Sequence, residues 1–434
     1  MDFIVIKIRK SQLFSLFLFS QASVCYASGV YIDTQTANGV GYAFAGTSVL
    51  AQDASVIAYN PAGMGALDQG NYLSGSASLV LAQTEFNGTN NASISPIVPT
   101  GSINDRIDRK LVVPSFQYVY KSEQPYAIGI SVSPMYGNEG EWNDQFIGRY
   151  KGLKTEVTGM NFNTSFAYAL SPQLMFGLGI NYLDFDATLT RKAAPLVNTS
   201  TTPPIYVGDA QGELQGDGDG WAANVGVFWR PTQDIDLGLT YRSETDLKLD
   251  GSLTITTPKT KLTTPATVDI SMPQSASLGA AYRFKPKWTA LAEVTWYDWS
   301  VLPAFSAVNP ATNVVVYEEQ LHFRDGFRSS LGALYQITPA TQLRFGTAYD
   351  KSVVQSSSER TVRFPDADRI WLSVGAGYQL NQKLSIDFGY AHIFANEATI
   401  KSPTIVAGNT TMQTLEGNFE TQADIFSLQF NYKF

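Results

Sequence analysis

The last nine residues of the chain alternate strictly: Phe426, Leu428, Phe430, Tyr432 and Phe434 are apolar, and Ser427, Gln429, Asn431 and Lys433 separate them. Successive side chains of a strand point to opposite faces, so a period of two describes a strand with one apolar and one polar face. The pattern returns in Met160, Phe162, Phe166, Tyr168 and Leu170 against Asn161, Asn163 and Ser165. It returns again in Leu384, Ile386, Phe388 and Tyr390, and in Ile370, Leu372, Val374, Ala376 and Tyr378 against Ser373, Gly375 and Gly377. Alternation dominates from Asn71 to Phe434, so an all-β fold is expected over that range.

Alternation alone leaves open which face meets water, since a soluble sandwich or propeller would bury the apolar side. Turn length separates the two. Short connectors at Ser122-Glu123-Gln124-Pro125, Ser171-Pro172-Gln173, Pro231-Thr232-Gln233-Asp234, Lys285-Pro286-Lys287, Thr338-Pro339-Ala340-Thr341 and Asn381-Gln382-Lys383 alternate with long polar stretches. The long stretches run roughly over 87–110, 138–152, 192–218, 250–264, 303–321, 355–367 and 401–417. Short turns at one end and long loops at the other characterise antiparallel barrels of the outer membrane. The count predicts a transmembrane antiparallel β-barrel of about fourteen strands. Tryptophans near strand ends (Trp221, Trp229, Trp288, Trp296, Trp299, Trp371) suit the interfacial girdles of such a barrel. Terminal Phe434, with aromatics at alternate positions before it, resembles the signal read by the barrel-assembly machinery.

The N-terminus agrees with export. Lys7, Arg9 and Lys10 precede the short apolar run Leu13–Phe19, and small residues follow up to Ala27. This is the pattern of a secretory signal over residues 1–27, and the run is too short to span a bilayer as a helix. Cys25 would fit a lipoprotein only with a Leu-containing approach that Ala22-Ser23-Val24 lacks. Cys25 is the single cysteine, so the mature chain holds no disulfide. Loss of three basic residues and one acidic one moves the net charge from -8 to -10. That balance excludes nucleic acid as a partner, because such a partner requires a basic footprint.

Residues 28–70 do not read as strands. They are rich in Ala and Gly, include Gly39 and Gly41, and contain Asn60-Pro61-Ala62-Gly63, a turn or helix start. A fourteen-stranded barrel is too wide for its side chains to fill, so it holds either water or a plug. The weakly charged segment 28–70 is placed to fold inward as a hatch, with 71–434 as the barrel.

At this point the chain resembles the FadL-type outer-membrane transporters of long-chain fatty acids and aromatic hydrocarbons. The likeness is carried by Ala37-Asn38-Gly39-Val40-Gly41-Tyr42-Ala43, Asp53-Ala54-Ser55, Asn60-Pro61-Ala62-Gly63-Met64 and Pro365-Asp366-Ala367-Asp368-Arg369-Ile370-Trp371-Leu372-Ser373. Met175-Phe176-Gly177-Leu178-Gly179-Ile180-Asn181 and Leu239-Thr240-Tyr241-Arg242-Ser243-Glu244 add to it. The resemblance implies a hatch, passive uptake of a hydrophobic ligand, and a lateral opening where the third strand kinks. Ser133-Pro134-Met135-Tyr136-Gly137 supplies a reason for such an opening, since a proline inside a strand is confined to edges and bulges. Pro134 either kinks the strand or ends it.

A carboxylate ligand would need a cation in the lumen. By parity with Phe327 and Leu331, Arg324 and Arg328 point inward, and Arg324 matches a cationic pocket position of the family. Arg191, at the outer end of the fifth strand, is a further candidate, although lumen salt bridges would account for these arginines as well. Fatty acids are the first expectation for the ligand, but Asp184 and Asp186 stand where relatives more often carry a cation, which weakens that expectation and leaves a neutral aromatic hydrocarbon as the alternative. Gly216-Asp217-Gly218-Asp219-Gly220 lacks the spacing and terminal Glu of a calcium loop, so no metal or cofactor is expected. The rivals are an open porin and a hydrolase. The hydrolase would require a Ser–His pair, and only His322 and His392 are present, neither beside a nucleophile motif. Outer-membrane lipid, lipopolysaccharide and the assembly machinery are the expected partners of a monomer.

Overall fold

The computed structural model describes residues 29–89, 99–407 and 410–434; the expected signal segment, residues 1–27, lies outside the described residues. The wall begins with β1 (Gly70–Thr89), β2 (Asn104–Lys121), β3 (Tyr126–Glu141), β4 (Lys154–Ser171), β5 (Leu174–Asn198) and β6 (Ile205–Thr232). Two spanning strands follow in halves. β7 (Ile235–Arg242) continues as β8 (Thr245–Thr256) past a break at Ser243-Glu244, and β9 (Lys261–Met272) continues as β10 (Ser275–Lys285) past Pro273-Gln274. After β11 (Trp288–Tyr297) comes a hairpin of β12 (Ala304–Asn309) and β13 (Val314–Gln320) in the outer loop. β14 (Gly326–Thr338), β15 (Thr341–Lys351), β16 (Arg369–Gln379), β17 (Leu384–Ala395) with its continuation β18 (Ala398–Ala407), and β19 (Thr410–Lys433) complete the wall.

Neighbours pair antiparallel throughout, and β19 returns to β1 in register from Tyr72↔Lys433 to Thr89↔Glu416. The result is a closed antiparallel barrel of fourteen strands. Closure matters because an open sheet edge in hydrocarbon would leave N–H and C=O groups unpaired. The wall alternates as its sequence does. Leu170, Leu331 and Leu278 are 65%, 63% and 61% exposed on the outside, while Asn163, Ser330 and Ser373 are buried on the inside. Leaving a side chain of that size in water forgoes roughly 1.5–3 kcal/mol, so the outer face belongs in lipid.

Three expectations are corrected by the structure. The polar stretches 192–218, 250–264 and 401–417 are largely strand: β5 and β6 rise together to Asn198 and Ile205, and β8 and β9 to Thr256 and Lys261. A ladder above the membrane needs no apolar face, so its residues read as loop. For the same reason Gly216–Gly220 lies inside β6, paired with β5. Trp299 and Trp371 belong to no girdle. They are 0% and 1% exposed in the interior, where Trp371 meets Phe44 edge-on at 5.7 Å and Trp299 meets Tyr136 at 6.5 Å. Trp221 and Trp229 do face outward, 65% and 47% exposed.

Candidate functional site

Inside the barrel lies the segment that precedes β1. It forms one short helix, α1 (Ala37–Gly41), and two 3₁₀ turns, Ala54–Ala58 and Pro61–Ala66. Each starts on a polar cap that satisfies otherwise orphaned N–H groups. Thr36 Oγ1 accepts from Gly39 N, Asp53 Oδ1 from Ser55 N, and Asn60 Oδ1 from Ala62 N, with Pro61 in the first turn position where its missing N–H costs nothing. Asn60 also ties this segment together and to the wall: its amide donates to Ser48 O at 2.7 Å and to Val227 O at 3.1 Å. The wall makes room with glycine. A Cβ at Gly226 would overlap Asn60 Oδ1, and one at Gly177 would overlap the Pro61–Ala62 backbone. Gly41 also lies close to Gly375: a Cβ on it would sit 3.0 Å from the Gly375 Cα.

Charge fixes the hatch in two places. Arg328 of β14 pairs with Asp33, donating Nη2 to Oδ1 at 3.0 Å, and Tyr297 OH donates to the same oxygen at 3.1 Å. Glu293 of β11 accepts from Thr47 Oγ1 at 2.7 Å, Ser48 N at 3.0 Å and Ser48 Oγ at 3.1 Å. Both carboxylates are buried, so these partners are what make their burial tolerable.

Above the hatch is an apolar cavity of about 90 Å³. Val30 lines it from below, Phe185, Leu189, Leu214, Leu249 and Met272 from the wall, and Leu302, Phe305, Leu321 and Phe364 from the outer loops. The lining contains no charged side chain. The same apolar cluster continues into Met135 and Tyr136 of β3.

Those two residues sit at a break in the wall. β2 and β3 pair only from Lys121↔Ala127 to Phe116↔Val132. Beyond Val132, β3 keeps its pairing with β4 through a β-bulge between Pro134 and Tyr136, but it leaves β2. From Ser133 to Asn138 every residue is buried, so the strand has swung inward from the lipid-facing surface. Pro134 therefore kinks the strand and does not end it. Pro114 of β2 lies on the opposite side of the separation, where an absent N–H is tolerated because no ladder forms there. Arg109 Nε reaches Glu139 O at 2.6 Å and bridges the separation at its outer end. On the edge that β2 vacates, Ile32 N donates to Met135 O at 2.8 Å and Gly137 N to Val30 O at 2.9 Å. The start of the hatch thus takes the place of the missing strand.

The structure places the proposed arginines apart. Arg328 is 4% exposed and engaged with Asp33. Arg324 is half-buried at the outer end of β14, with Nε donating to Ser352 O at 3.0 Å. Arg191 lies over the Tyr317 ring at 4.3 Å. Around it stand Lys151 and the buried Arg363, whose Nε lies 3.0 Å from Glu319. Burial in the outer loop lowers the Lys151 ammonium from its ordinary value, Glu319 opposes the shift and Arg191 adds to it. Asp184 and Asp186 share the face of Phe176, Leu178 and Ile180, which points out of the barrel, so they remove no cation from the lumen. Arg363 went unnoticed in the sequence because a loop has no periodicity to aim it. Arg242 was legible by parity with the outward Leu239 and Tyr241.

A closed barrel with an apolar outer band, a folded plug, and an apolar chamber beside a parted ladder defines a plugged outer-membrane transport barrel. The sequence of residues 18–434 matches the model of the outer membrane protein transport protein family (OMPP1/FadL/TodX), and the chain belongs to that family. It is 26% identical to a long-chain fatty acid transport protein of Escherichia coli O6:H1, covering 94% of this chain and 95% of the relative. It is 25% identical to the outer membrane protein P1 of Haemophilus influenzae over 92% of this chain and 93% of the relative. Among solved structures, a Pseudomonas aeruginosa FadL homologue superposes with a TM-score of 0.81 at 21% identity, over 94% of this chain and all of that one. The P. putida toluene transporter TodX follows at 0.68 and 15% identity, over 92% and 98%.

Proposed function

We propose that this barrel takes up long-chain hydrophobic molecules, fatty acids foremost, by capture among the outer loops, lodging in the apolar chamber, and release sideways between β2 and β3 into the bilayer. One observation carries the reading: a single apolar cluster runs from Phe364 and Leu321 of the loops, past Val30 of the hatch, to Met135 and Tyr136 at the kink. A methylene gains about 0.8 kcal/mol by burial, so an acyl chain has a favourable path along this cluster and an unfavourable one through the polar layer outside. The chamber of about 90 Å³ is smaller than the roughly 300–1,000 Å³ of ordinary ligand clefts, so Phe364 and its loop move aside on loading. Displacing residues 30–32 frees the β3 edge and widens the route out.

Neutral aromatic hydrocarbons are the second reading, favoured by the absence of charge in the chamber lining. Transport needs no catalytic group. His392 faces outward, bound to Asp424 at 2.8 Å beside Tyr390, and the His322 carbonyl accepts from Gln355. We also assign to Phe434, which is 53% exposed and stacked on Tyr432, recognition by the assembly machinery of a barrel that works as a monomer among lipid and lipopolysaccharide.

The test is uptake of labelled oleate and toluene by a strain lacking the protein and complemented with wild type or Pro134→Val. The variant restores pairing potential on β3; oleate uptake is expected to fall while heat-modifiable gel migration, the sign of assembly, persists. Unchanged uptake in the assembled variant would rule out the lateral route.

A further inference from the structure

Uptake begins with a ligand entering the apolar chamber from outside, and the inference that follows rests on that reading. The segment 352–368, between β15 and β16, closes the chamber from above with Phe364. It holds neither strand nor helix, yet residues 362–367 are all buried. Loops ordinarily run over the surface, because a buried one must find partners for its backbone polar groups, and a long irregular segment is usually functional. Here the partners divide into two sets. At the neck they belong to the segment itself or to the strands that carry it: the Asp366 carboxylate accepts from Ser352 Oγ at 2.8 Å and Val353 N at 2.9 Å, and pairs with Arg369 at 2.6 Å. At the tip they belong to other parts of the wall. Asn138 Nδ2 of β3 donates to Arg363 O, and Trp142 Nε1 just beyond β3 donates to Val362 O, both at 3.1 Å. The tip can therefore leave its seat while the neck stays folded.

Arg363 dominates the tip. Its Nε donates to Glu319 at 3.0 Å, Nη1 to Lys154 O at 2.7 Å and Thr155 Oγ1 at 3.1 Å, and Nη2 to Thr190 O at 2.9 Å and Tyr317 OH at 3.4 Å. These five bonds use the five N–H donors of a guanidinium and join the tip to β4, β5 and β13 at once. Tyr317 OH in turn donates to Glu319 at 2.7 Å. On either side of Arg363, Phe364 enters the apolar cluster of the chamber, and Val362 enters a separate one with Trp142 and Phe146. Burial of a guanidinium is tolerated where its donors are met, so the tip is either fully seated or released. Once released, Arg363 returns to water, which offsets part of what the five bonds supplied.

We infer that residues 361–365 are a gate on the outer side of the chamber, latched by Arg363 on Glu319, and that the closed gate competes with the ligand for the seat of Phe364. The chamber of about 90 Å³ is the space left with Phe364 seated. A run of methylenes that takes the place of Phe364 regains its apolar contacts, and the polar end of the ligand has no part in the exchange. The gate thus sets how much ligand is bound without choosing between an acid and a neutral molecule. The affinity observed is the intrinsic one reduced by the open fraction, so weakening the latch must tighten binding. A side chain that merely shapes the chamber would act in the opposite sense, since its loss weakens binding.

Equilibrium binding of radiolabelled oleate and of oleyl alcohol to the detergent-purified mature protein tests this. Glu319→Gln and Arg363→Gln are each expected to bind both ligands about tenfold more tightly, the factor carried by one charge-assisted hydrogen bond. Affinities unchanged or weakened in the assembled variants overturn the latch, as does a gain confined to one of the ligands. Wild type that binds neither ligand removes the uptake reading, and the latch with it. Should the variants fail to assemble, trypsin reads the gate in the wild type. Arg363 is buried while the gate is closed, so saturation with either ligand should speed cleavage after Arg363 by at least about tenfold. Cleavage no faster with ligand than without it overturns the gate.

Discussion

Asp33 and Arg328 are 3% and 5% exposed at their side chains, and together they fasten the beginning of the hatch to β14. Arg328 grips it twice, since its guanidinium also lies 4.9 Å from the centre of the Phe44 ring. Asp33→Asn removes one charge and leaves the other buried. Breaking a buried pair in this way costs roughly 3–5 kcal/mol. Asp350 stands opposite Arg328 in the β14–β15 register and shares its charge, so the low end, about 3 kcal/mol, applies. At about 1.4 kcal/mol per factor of ten, the population with an open hatch rises on the order of a hundredfold. Ile32, 2% exposed beside Asp33, is the place to read this. The single native cysteine, Cys25, precedes the expected cleavage point, so Ile32→Cys gives the mature chain one thiol. Maleimide labelling should accelerate about a hundredfold in Asp33→Asn and by at least as much in Arg328→Gln, where Asp350 repels the Asp33 charge left behind, provided reclosing outpaces labelling. Combining the two removes both charges and should return much of the loss, because contacting partners are not additive. Single variants within about threefold of the parent, or a double variant as fast as the product of the singles, would show that the pair does not latch the hatch.

Two further outcomes follow from the plug's packing. Gly226→Ala pushes a methyl group into the Asn60 side-chain oxygen, which caps the Pro61–Ala66 turn, and should produce conductance steps in planar bilayers; Gly75→Ala, with open space around it, should leave the barrel as closed as wild type. Glu293→Ala deprives Thr47 and Ser48 of a charged acceptor worth roughly 1.5–3 kcal/mol per hydrogen bond and should lower the temperature at which gel mobility changes, while Glu293→Gln should recover part of that loss. Equal shifts in the two Glu293 variants would mean that packing, and not hydrogen bonding, sets the effect.

The wall was legible because a period of two is both a sequence pattern and a direction. Ile370, Leu372 and Val374 face out, so Trp371, one position off, must face in; its apparent place in a girdle came from weighing residue type above parity. The same parity aims Arg328 and Arg242 at the lumen. Parity weakens where both faces of the ladder are wet, and it fails in loops, so the rise of β5 and β6 above the membrane and the burial of Arg363 left no trace in the sequence.

Direction also differs from environment. Asp184 and Asp186, at positions where relatives more often carry a cation, count against an acid ligand in the sequence, yet they stand in line with Leu178 and Ile180 on the outside. Gly177, Gly226, Gly346 and Gly389 each look like a weak point in a strand, and only the plug explains them, because each faces hatch backbone or the Asn60 cap at a place where a side chain would collide. Pro114 and Pro134 show the same dependence: each alone suggests a local irregularity, while together, on opposite sides of the β2–β3 separation, they lack N–H donors that could rejoin the two strands. The side chains that make this barrel a transporter are therefore ones a strand would otherwise avoid, and they are tolerated because the hatch covers the glycines and the parted ladder asks nothing of the prolines.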